Sequence, residues 1–524
     1  MPISVSNAAA LQSAVNAPPA DGLIYLETSF VLSSPIVINH ANTTATIETD
    51  PALSSPVTLT VSTANTSSFQ ISNNTNITFS NVIIDGSNVG GNITISGSSW
   101  VYFQSGAVLQ NCGMTLSGNV SAAGVNVSNA IFVLWGGTIT NCINSGNIWG
   151  GGIYVGYNGQ LRMYGGTISN CHNTVGTTGY GGGVCIQNGE MDMDGGIISN
   201  NSATYLGGGI YCELDGSSFS GADLEISGGT VENNSAQQGG GVFMDYGELS
   251  LYGTGAITNN TATVSGGGLY VYNGAWANIS SQVTHNTAPA GGGIYAWGTY
   301  PFQRVNIGGN ALIQGNSASA TDGGGIWIYG QLTMTAGTVQ TNEAANNGGG
   351  LLLAGYNHSL TGGTIENNTA LENGGGICCD SSTNPTWLTL AGVTVTENTA
   401  NNSGGGIYDL GNPVATAQAG SLTVSAPTVI SQNVALNGGG IALDNGSALI
   451  LNGGTVSNNT AADGGGFLLR NTATGTFSAG SVTQNMANTY GGGIYLSDGT
   501  TVTQTGGELS ENAANVSGGA VYVA

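Results

Sequence analysis

Lysine is absent from this chain, and arginine occurs only at Arg162, Arg304 and Arg470, against 27 acidic residues and a formal net charge of -24. Nucleic-acid binding needs Lys and Arg to neutralise phosphates, and anionic membrane surfaces are recognised through polybasic segments, so both are excluded as partners. A lysine-free chain has no P-loop. Seven cysteines in 524 residues are too sparse for a disulfide scaffold, and none forms a CxxC pair that would suggest zinc. No cofactor is expected. Long apolar runs are missing as well: Ile131 to Trp135 is typical of the longest, far short of the ~20 residues a membrane helix requires. Met1-Pro2 leads directly into structured-looking sequence without a charged and then apolar leader, so export is inferred from composition alone.

What is abundant is glycine, 90 residues, in a chain that is still 40% apolar and therefore able to bury a core. A glycine triplet followed by an apolar residue recurs at Gly150, Gly181, Gly207, Gly239, Gly266, Gly291, Gly323, Gly348, Gly374, Gly404, Gly438, Gly464 and Gly491, with a GGA variant at Gly518. The mean spacing of about 28 residues defines one structural unit per repeat.

Each unit holds three short strand-like pieces, as in Gly150-Gly-Gly-Ile-Tyr-Val, Gln160-Leu-Arg-Met-Tyr and Gly165-Gly-Thr-Ile-Ser-Asn, with no helical period between them. Alternation turns Ile153, Val155, Leu161 and Met163 inward, with Tyr154 and Arg162 outward. Such a strand cannot bury its apolar side alone. Pairing each strand with its counterpart one repeat later, at ~4.8 Å, buries a continuous apolar column. The expected fold is therefore all-β, a single-domain three-sheet parallel β-helix. Right-handed coils follow from the hand of crossovers between parallel strands. Insertions such as Ser381 to Thr386 and Gly411 to Ala419 enter turns.

The third strand carries a polar column. Twelve asparagines, from Asn201 and Asn234 through Asn368 to Asn512, each follow an apolar residue by three positions and precede an alanine by two. Stacked asparagines can pass amide hydrogen bonds from coil to coil, while the small alanine permits a tight corner. Cys112, Cys142 and Cys171 fill the same column in earlier coils, where a buried thiol ladder is favoured over a disulfide. At the start, Asn7 is placed to cap a short helix over Ala8 to Val15, and residues 1–130 are taken as a cap with irregular first coils, before regular repeats over 131–524. The sequence stops at Ala524 just after a first strand, so continuation beyond it is expected.

The GGG[IVL] and [IVL]xxN elements resemble the GGA[ILV] and FxxN repeats of chlamydial polymorphic membrane proteins and, more broadly, bacterial right-handed β-helix adhesin-like surface proteins. The resemblance covers residues 130 to 524, with GGG in place of GGA and Ile or Val in place of Phe. It implies a pectate-lyase-like solenoid, exported to a bacterial cell surface or secreted, that serves attachment. Enzymes of this architecture, polysaccharide lyases above all, use basic residues or calcium against uronates, and three scattered arginines do not supply that.

Two faces are candidate sites. The residue after the inward Ile is aromatic at Tyr154, Tyr211, Phe243, Tyr270, Tyr295, Trp327, Tyr408, Tyr495 and Tyr522, read as an exposed stripe. Three consecutive coils add a second outward ring, giving Tyr270/Tyr272, Tyr295/Trp297 and Trp327/Tyr329 on one flat face. Such rings suit a cell-surface glycan, a protein partner or self-association; simple ring packing along the sheet is the structural alternative. The second face is acidic, with Glu190, Asp192 and Asp194 followed by Asp223, Glu225 and Glu248. Adjacent coils would hold Asp192 and Glu225 about 5 Å apart, a spacing met in retaining glycosidases but common to every in-register pair on a β-helix. A solvated acidic face is favoured over a calcium site or a catalytic pair. His40, His172, His285 and His358 share no column. An ice-binding face built on Thr138/Thr140 and Thr394/Thr396 is interrupted by Glu232, Glu366 and Glu508. The resulting expectation is a non-catalytic surface protein that attaches to glycan or protein, with a carbohydrate-active β-helix enzyme, a glycoside hydrolase or polysaccharide lyase, as the alternative.

Overall fold

A computed structural model describes residues 1–115, 121–213, 223–298, 303–412, 420–497 and 499–524; the side chain of Asp223 and most of the insertion at 411–419 lie outside that set. The chain divides into two compact units, Met1–Ala262 and Thr263–Ala524, so the division falls inside the regular repeats. Each unit is a parallel β-helix.

In the first unit, helix α1 (Ala8–Asn16) is capped by Asn7, whose side chain accepts from the Ala10 N–H at 2.9 Å, and it buries Leu11, Ala14 and Val15. Strands Ile3–Val5, Leu23–Leu26, Thr44–Thr49, Asn76–Ser80, Trp100–Phe103, Ile131–Leu134 and Gln160–Met163 then pair in parallel, coil on coil. Inward rings of these coils meet edge to face, Phe69 of strand Phe69–Ile71 to Phe79 at 4.9 Å, Phe79 to Phe103 at 5.3 Å and Phe103 to Phe132 at 5.3 Å. The first coils are thus filled by aromatic bulk, which compensates for their irregular length.

The regular coils add an element that the sequence pattern did not separate. After the asparagine corner comes a two-residue strand, such as His172–Asn173 or Ser202–Ala203, and these form a third sheet. Two residues are too few to show alternation. The second and third strands also fuse across their glycine pair into ten-residue strands at Glu190–Ser199 and Asp223–Glu232, with register shifts at the join.

The glycine triplet has two separate causes. Its first member is left-handed, φ 65° at Gly181, where a side chain is strained. Its third member faces the next coil: a Cβ on Gly183 would lie 2.7 Å from the Gly209 carbonyl and 3.0 Å from Asn201 Nδ2. The residue before each ladder asparagine is left-handed too, for example Asn200 at 57° and His285 at 55°, which explains why Asn is the most frequent residue there.

The asparagine ladder forms as expected. In the first unit Asn201 Nδ2 donates to Asn234 Oδ1 at 3.0 Å and Asn234 Nδ2 to Asn260 Oδ1 at 3.1 Å. In the second, the column runs from Asn286 through Asn316, Asn342, Asn368, Asn398, Asn433 and Asn459 to Asn485 and Asn512, each step 2.9–3.1 Å. Cys112, Cys142 and Cys171 are buried free thiols, and burial together with the Cys142 thiol holds Cys171 well above the usual thiol range.

Candidate functional site

The aromatic face of the second unit lies on strands Leu269–Tyr272, Ile294–Ala296 and Ile326–Tyr329, which pair in register. Alternation turns the rings away from the core, as expected, but the first column is sunk rather than exposed. Tyr270 is 3% exposed and Tyr295 and Trp327 are half-buried; Tyr211, Phe243 and Tyr408 are likewise buried. The cause is the glycine turn itself, which folds back beside the outward ring: a Cβ on Gly291 would lie 2.7 Å from Tyr295 Cβ, and one on Gly323 2.7 Å from Trp327 Cβ.

Inside this recess Tyr270 lies tilted against Tyr295, centroids 5.0 Å and planes 46° apart, and Tyr295 stacks on Trp327 at 4.4 Å with planes 10° apart. The second column stands higher. Trp297 is 40% exposed and stacks on Tyr272 at 6.2 Å, while the Tyr329 hydroxyl accepts from Asn384 Nδ2 at 2.6 Å. The six rings thus form two tiers, a packed floor and a partly open upper row. Further along, Leu352, Ala354, Cys378, Tyr408 and Ala442 make a buried apolar row on which Trp327, Tyr329 and Leu410 pack. The row is closed by Asp444, which accepts from Arg470 Nε at 2.7 Å and from the Tyr408 hydroxyl at 3.3 Å.

One wall of the recess was missed from sequence. The residue just before the glycine triplet is Asp322, Asn347 and Asn373 in successive coils. Asn347 Nδ2 donates to Asp322 Oδ1 at 3.0 Å, and Asn373 Nδ2 to Asn347 Oδ1 at 2.9 Å. Asn373 Oδ1 is buried without a hydrogen-bond partner. Burial raises the Asp322 carboxyl above its ordinary value, and burial plus that carboxylate pushes Tyr295 up to about 12. The signal was available: these positions are polar in three successive repeats and directly precede the triplet.

In the first unit the same recess is filled differently. Trp149 and Tyr180 occupy the wall, and Tyr180 stacks on Tyr211 at 4.9 Å. The Tyr154 hydroxyl donates to Gln187 Oε1 at 2.7 Å, and burial pushes Tyr154 up to about 12.

The acidic strand faces outward, as expected, and its members have protein partners. Glu190 accepts from Gln160 Nε2 at 2.8 Å, Asp192 lies 4.0 Å from Arg162 Nε, Asp194 accepts from the Ser227 hydroxyl and Glu225 from the Tyr252 hydroxyl. Asp192 and Glu225 are register partners. Among the described residues no group of three His, Cys, Asp or Glu side chains is arranged to hold a metal ion. Among the described residues no helix is long and apolar enough to cross a membrane.

Comparison with known families gives two matches. The right-handed β-helix region model matches residues 248–416, and the Chlamydia polymorphic membrane protein repeat matches residues 195–213. The second match spans one asparagine corner, Ile198 to Ala203, and the glycine triplet that follows it at Gly207. No curated protein and no solved structure matches the chain. Fold and repeat together support a surface-exposed β-helix protein similar to those bearing the chlamydial repeat.

Proposed function

We propose that the chain is an exported, non-catalytic β-helix displayed at a bacterial cell surface, and that it attaches to a glycan or protein partner through Tyr272, Trp297 and Tyr329. The observation that carries this reading is the upper tier of rings: Trp297 is exposed and stacked on Tyr272, above a floor that Tyr270, Tyr295 and Trp327 already complete. A ring that is not needed to close the floor leaves apolar area and a polar edge for a ligand. Asp322 and Asn347 line the same recess and supply hydrogen-bonding groups.

Replacing Tyr272, Trp297 and Tyr329 with Ser leaves the inward columns unchanged. Attachment of the variant to a glycan array or a cell surface that the parent binds should weaken by at least about 2 kcal/mol, and the parent's own attachment should be insensitive to salt. Full retention of attachment assigns the rings to strand packing alone.

A further inference from the structure

In the first unit, the outer face of the second strands carries rings and charge that the attachment reading does not use. Strands Trp100–Phe103, Ile131–Leu134, Gln160–Met163 and Glu190–Ser199 pair in register, so their outward side chains form columns across the coils. At one place on this face a cation is already held between a ring and an acid. The Arg162 guanidinium lies over the Trp100 ring at 5.6 Å, and Trp100 stacks beside Tyr102 at 6.1 Å. Gln160 Oε1 accepts from Arg162 Nη2 at 3.0 Å, and the Asp192 carboxylate stands 4.0 Å from Arg162 Nε.

The next column has the same parts without the cation. Leu134 pairs with Met163 and Met163 with Met193, so Trp135, Tyr164 and Asp194, each one residue further, follow one another on three coils. Trp135 stacks on Tyr164 at 4.4 Å with planes 20° apart, and the two are 54% and 38% exposed. The adjoining acid is exposed as well; among the described residues Asp194 has one partner, the Ser227 hydroxyl. The chain supplies no cation for this column. It contains no lysine, and its three arginines lie over Trp100, over Trp276 and against Asp444.

A ring face attracts a cation through its quadrupole and a carboxylate attracts it through charge, so the two together are complementary to a guanidinium or an ammonium group. Glu190, Asp192 and Asp194 against Arg162 leave the face net negative, which disfavours an anionic partner. We propose that Trp135, Tyr164 and Asp194 dock an arginine or lysine side chain of a basic partner protein, in the way that Trp100 and Asp192 hold Arg162. This surface is separate from Tyr272, Trp297 and Tyr329 and opposite in character, because docking on it is driven by charge and weakens with salt.

The test is binding of a fluorescently labelled oligoarginine peptide to the full chain, read by anisotropy at low and high sodium chloride, with the fold of each variant checked by circular dichroism. The parent should bind at low salt and weaken by about tenfold or more at high salt. Trp135→Ser/Tyr164→Ser leaves every charge in place and should bind about tenfold more weakly at low salt. Asp194→Asn should lose about threefold, while Glu508→Gln, which removes the same charge from the second unit, should bind as the parent does. The variant with Ser at Tyr272, Trp297 and Tyr329 should also bind as the parent does. Equal binding by the parent and the Trp135/Tyr164 variant overturns the proposal, because net charge alone then holds the peptide. Equal losses in Asp194→Asn and Glu508→Gln overturn it on the same ground, and decide the matter if the ring variant fails to fold. Loss of binding in the Tyr272/Trp297/Tyr329 variant moves the peptide to the attachment rings and overturns it too. A parent that ignores the peptide but holds a neutral oligosaccharide, lost in Trp135→Ser/Tyr164→Ser, replaces the basic partner with a glycan.

Discussion

Two corners of the same coils solve the same problem in opposite ways. At the ladder corner the coils from Asn201 onward contribute the same side chain, and at Asn368 each polar atom of it is used. Asn368 Oδ1 accepts from the N–H and the Nδ2 of Asn342 at 3.0 and 2.9 Å, while its Nδ2 donates to the Val339 carbonyl and to Asn398 Oδ1 at 2.9 and 3.0 Å. At the opposite corner the coils contribute different residues, among them His358, Thr386, Asp409 and Ser447, all buried, and two of their polar atoms are left without partners. A repeated side chain satisfies itself by translation. A varied one must find its partners singly, and titratable groups enter where it does.

The largest expected effect is at the uniform corner. Asn368→Leu removes four hydrogen bonds at once and strands the amide of Asn342 and the carbonyl of Val339 in the interior. The second-unit transition in urea should lose about 3–5 kcal/mol. A loss under about 1 kcal/mol would mean that the ladder only decorates a corner held by packing.

Next come the two titratable groups of the varied corner, whose slopes have opposite sign. His358 stands inward between Leu332 and Leu388; its Nε2 faces the Gly355 carbonyl at 2.7 Å and its Nδ1 accepts from the Leu332 N–H at 3.3 Å. Burial lowers its pKa to about 4, so the folded ring stays neutral where the unfolded chain takes up a proton. Its contribution is complete above pH 6.5 and is lost as pH falls to about 4, a change of about 3 kcal/mol. His358→Gln minus parent should show that acid leg removed.

Asp409 behaves in the reverse sense. Burial raises its pKa to about 6, so stability is complete below pH 3.8 and falls as pH rises through 6, by about 2–3 kcal/mol. Asp409→Asn should therefore match the parent at pH 3.5 and exceed it at pH 7.5. Parallel curves for the two proteins would place the carboxylate in water rather than in the column.

The smallest effect is expected on the acidic face. Asp192 is half-exposed and its ion pair with Arg162 spans 4.0 Å, so Asp192→Asn should change stability by no more than about 0.5 kcal/mol. If a polysaccharide substrate is found, loss of its cleavage in a folded Asp192→Asn protein would move the site from the rings to the acids.

The repeat period, the inward columns, the capping helix and the asparagine ladder were all legible, because each rests on a residue type recurring at a fixed place. The two-residue strands of the third sheet were not, since they are shorter than any periodicity. The depth of Tyr270 was also hidden. Alternation says only which side of the strand a ring leaves, and whether the glycine turn then shields it depends on how the backbone folds back at Gly266. Asp409 was within reach, because the parity that sends Tyr408 outward sends its neighbour inward. The repeat pattern does not mark it, because that pattern shows only positions that recur, and an acid recurs nowhere else at this place in the coil. Asp322 matters through Asn347 one coil away.

The ladder also bears on how such a protein can grow. Each asparagine offers its neighbour the same acceptor and takes the same donor, so the column reads identically from any coil. Coils are therefore interchangeable at this corner whatever their length elsewhere. Excising residues 348–373 would remove one asparagine, Asn368, and bring Asn342 against Asn398 with matching hydrogen bonds. Duplication of a coil works by the same rule. A chain stapled in this way can gain or lose whole turns by recombination without redesigning its interior at that corner, whereas a single-residue slip breaks the column at once.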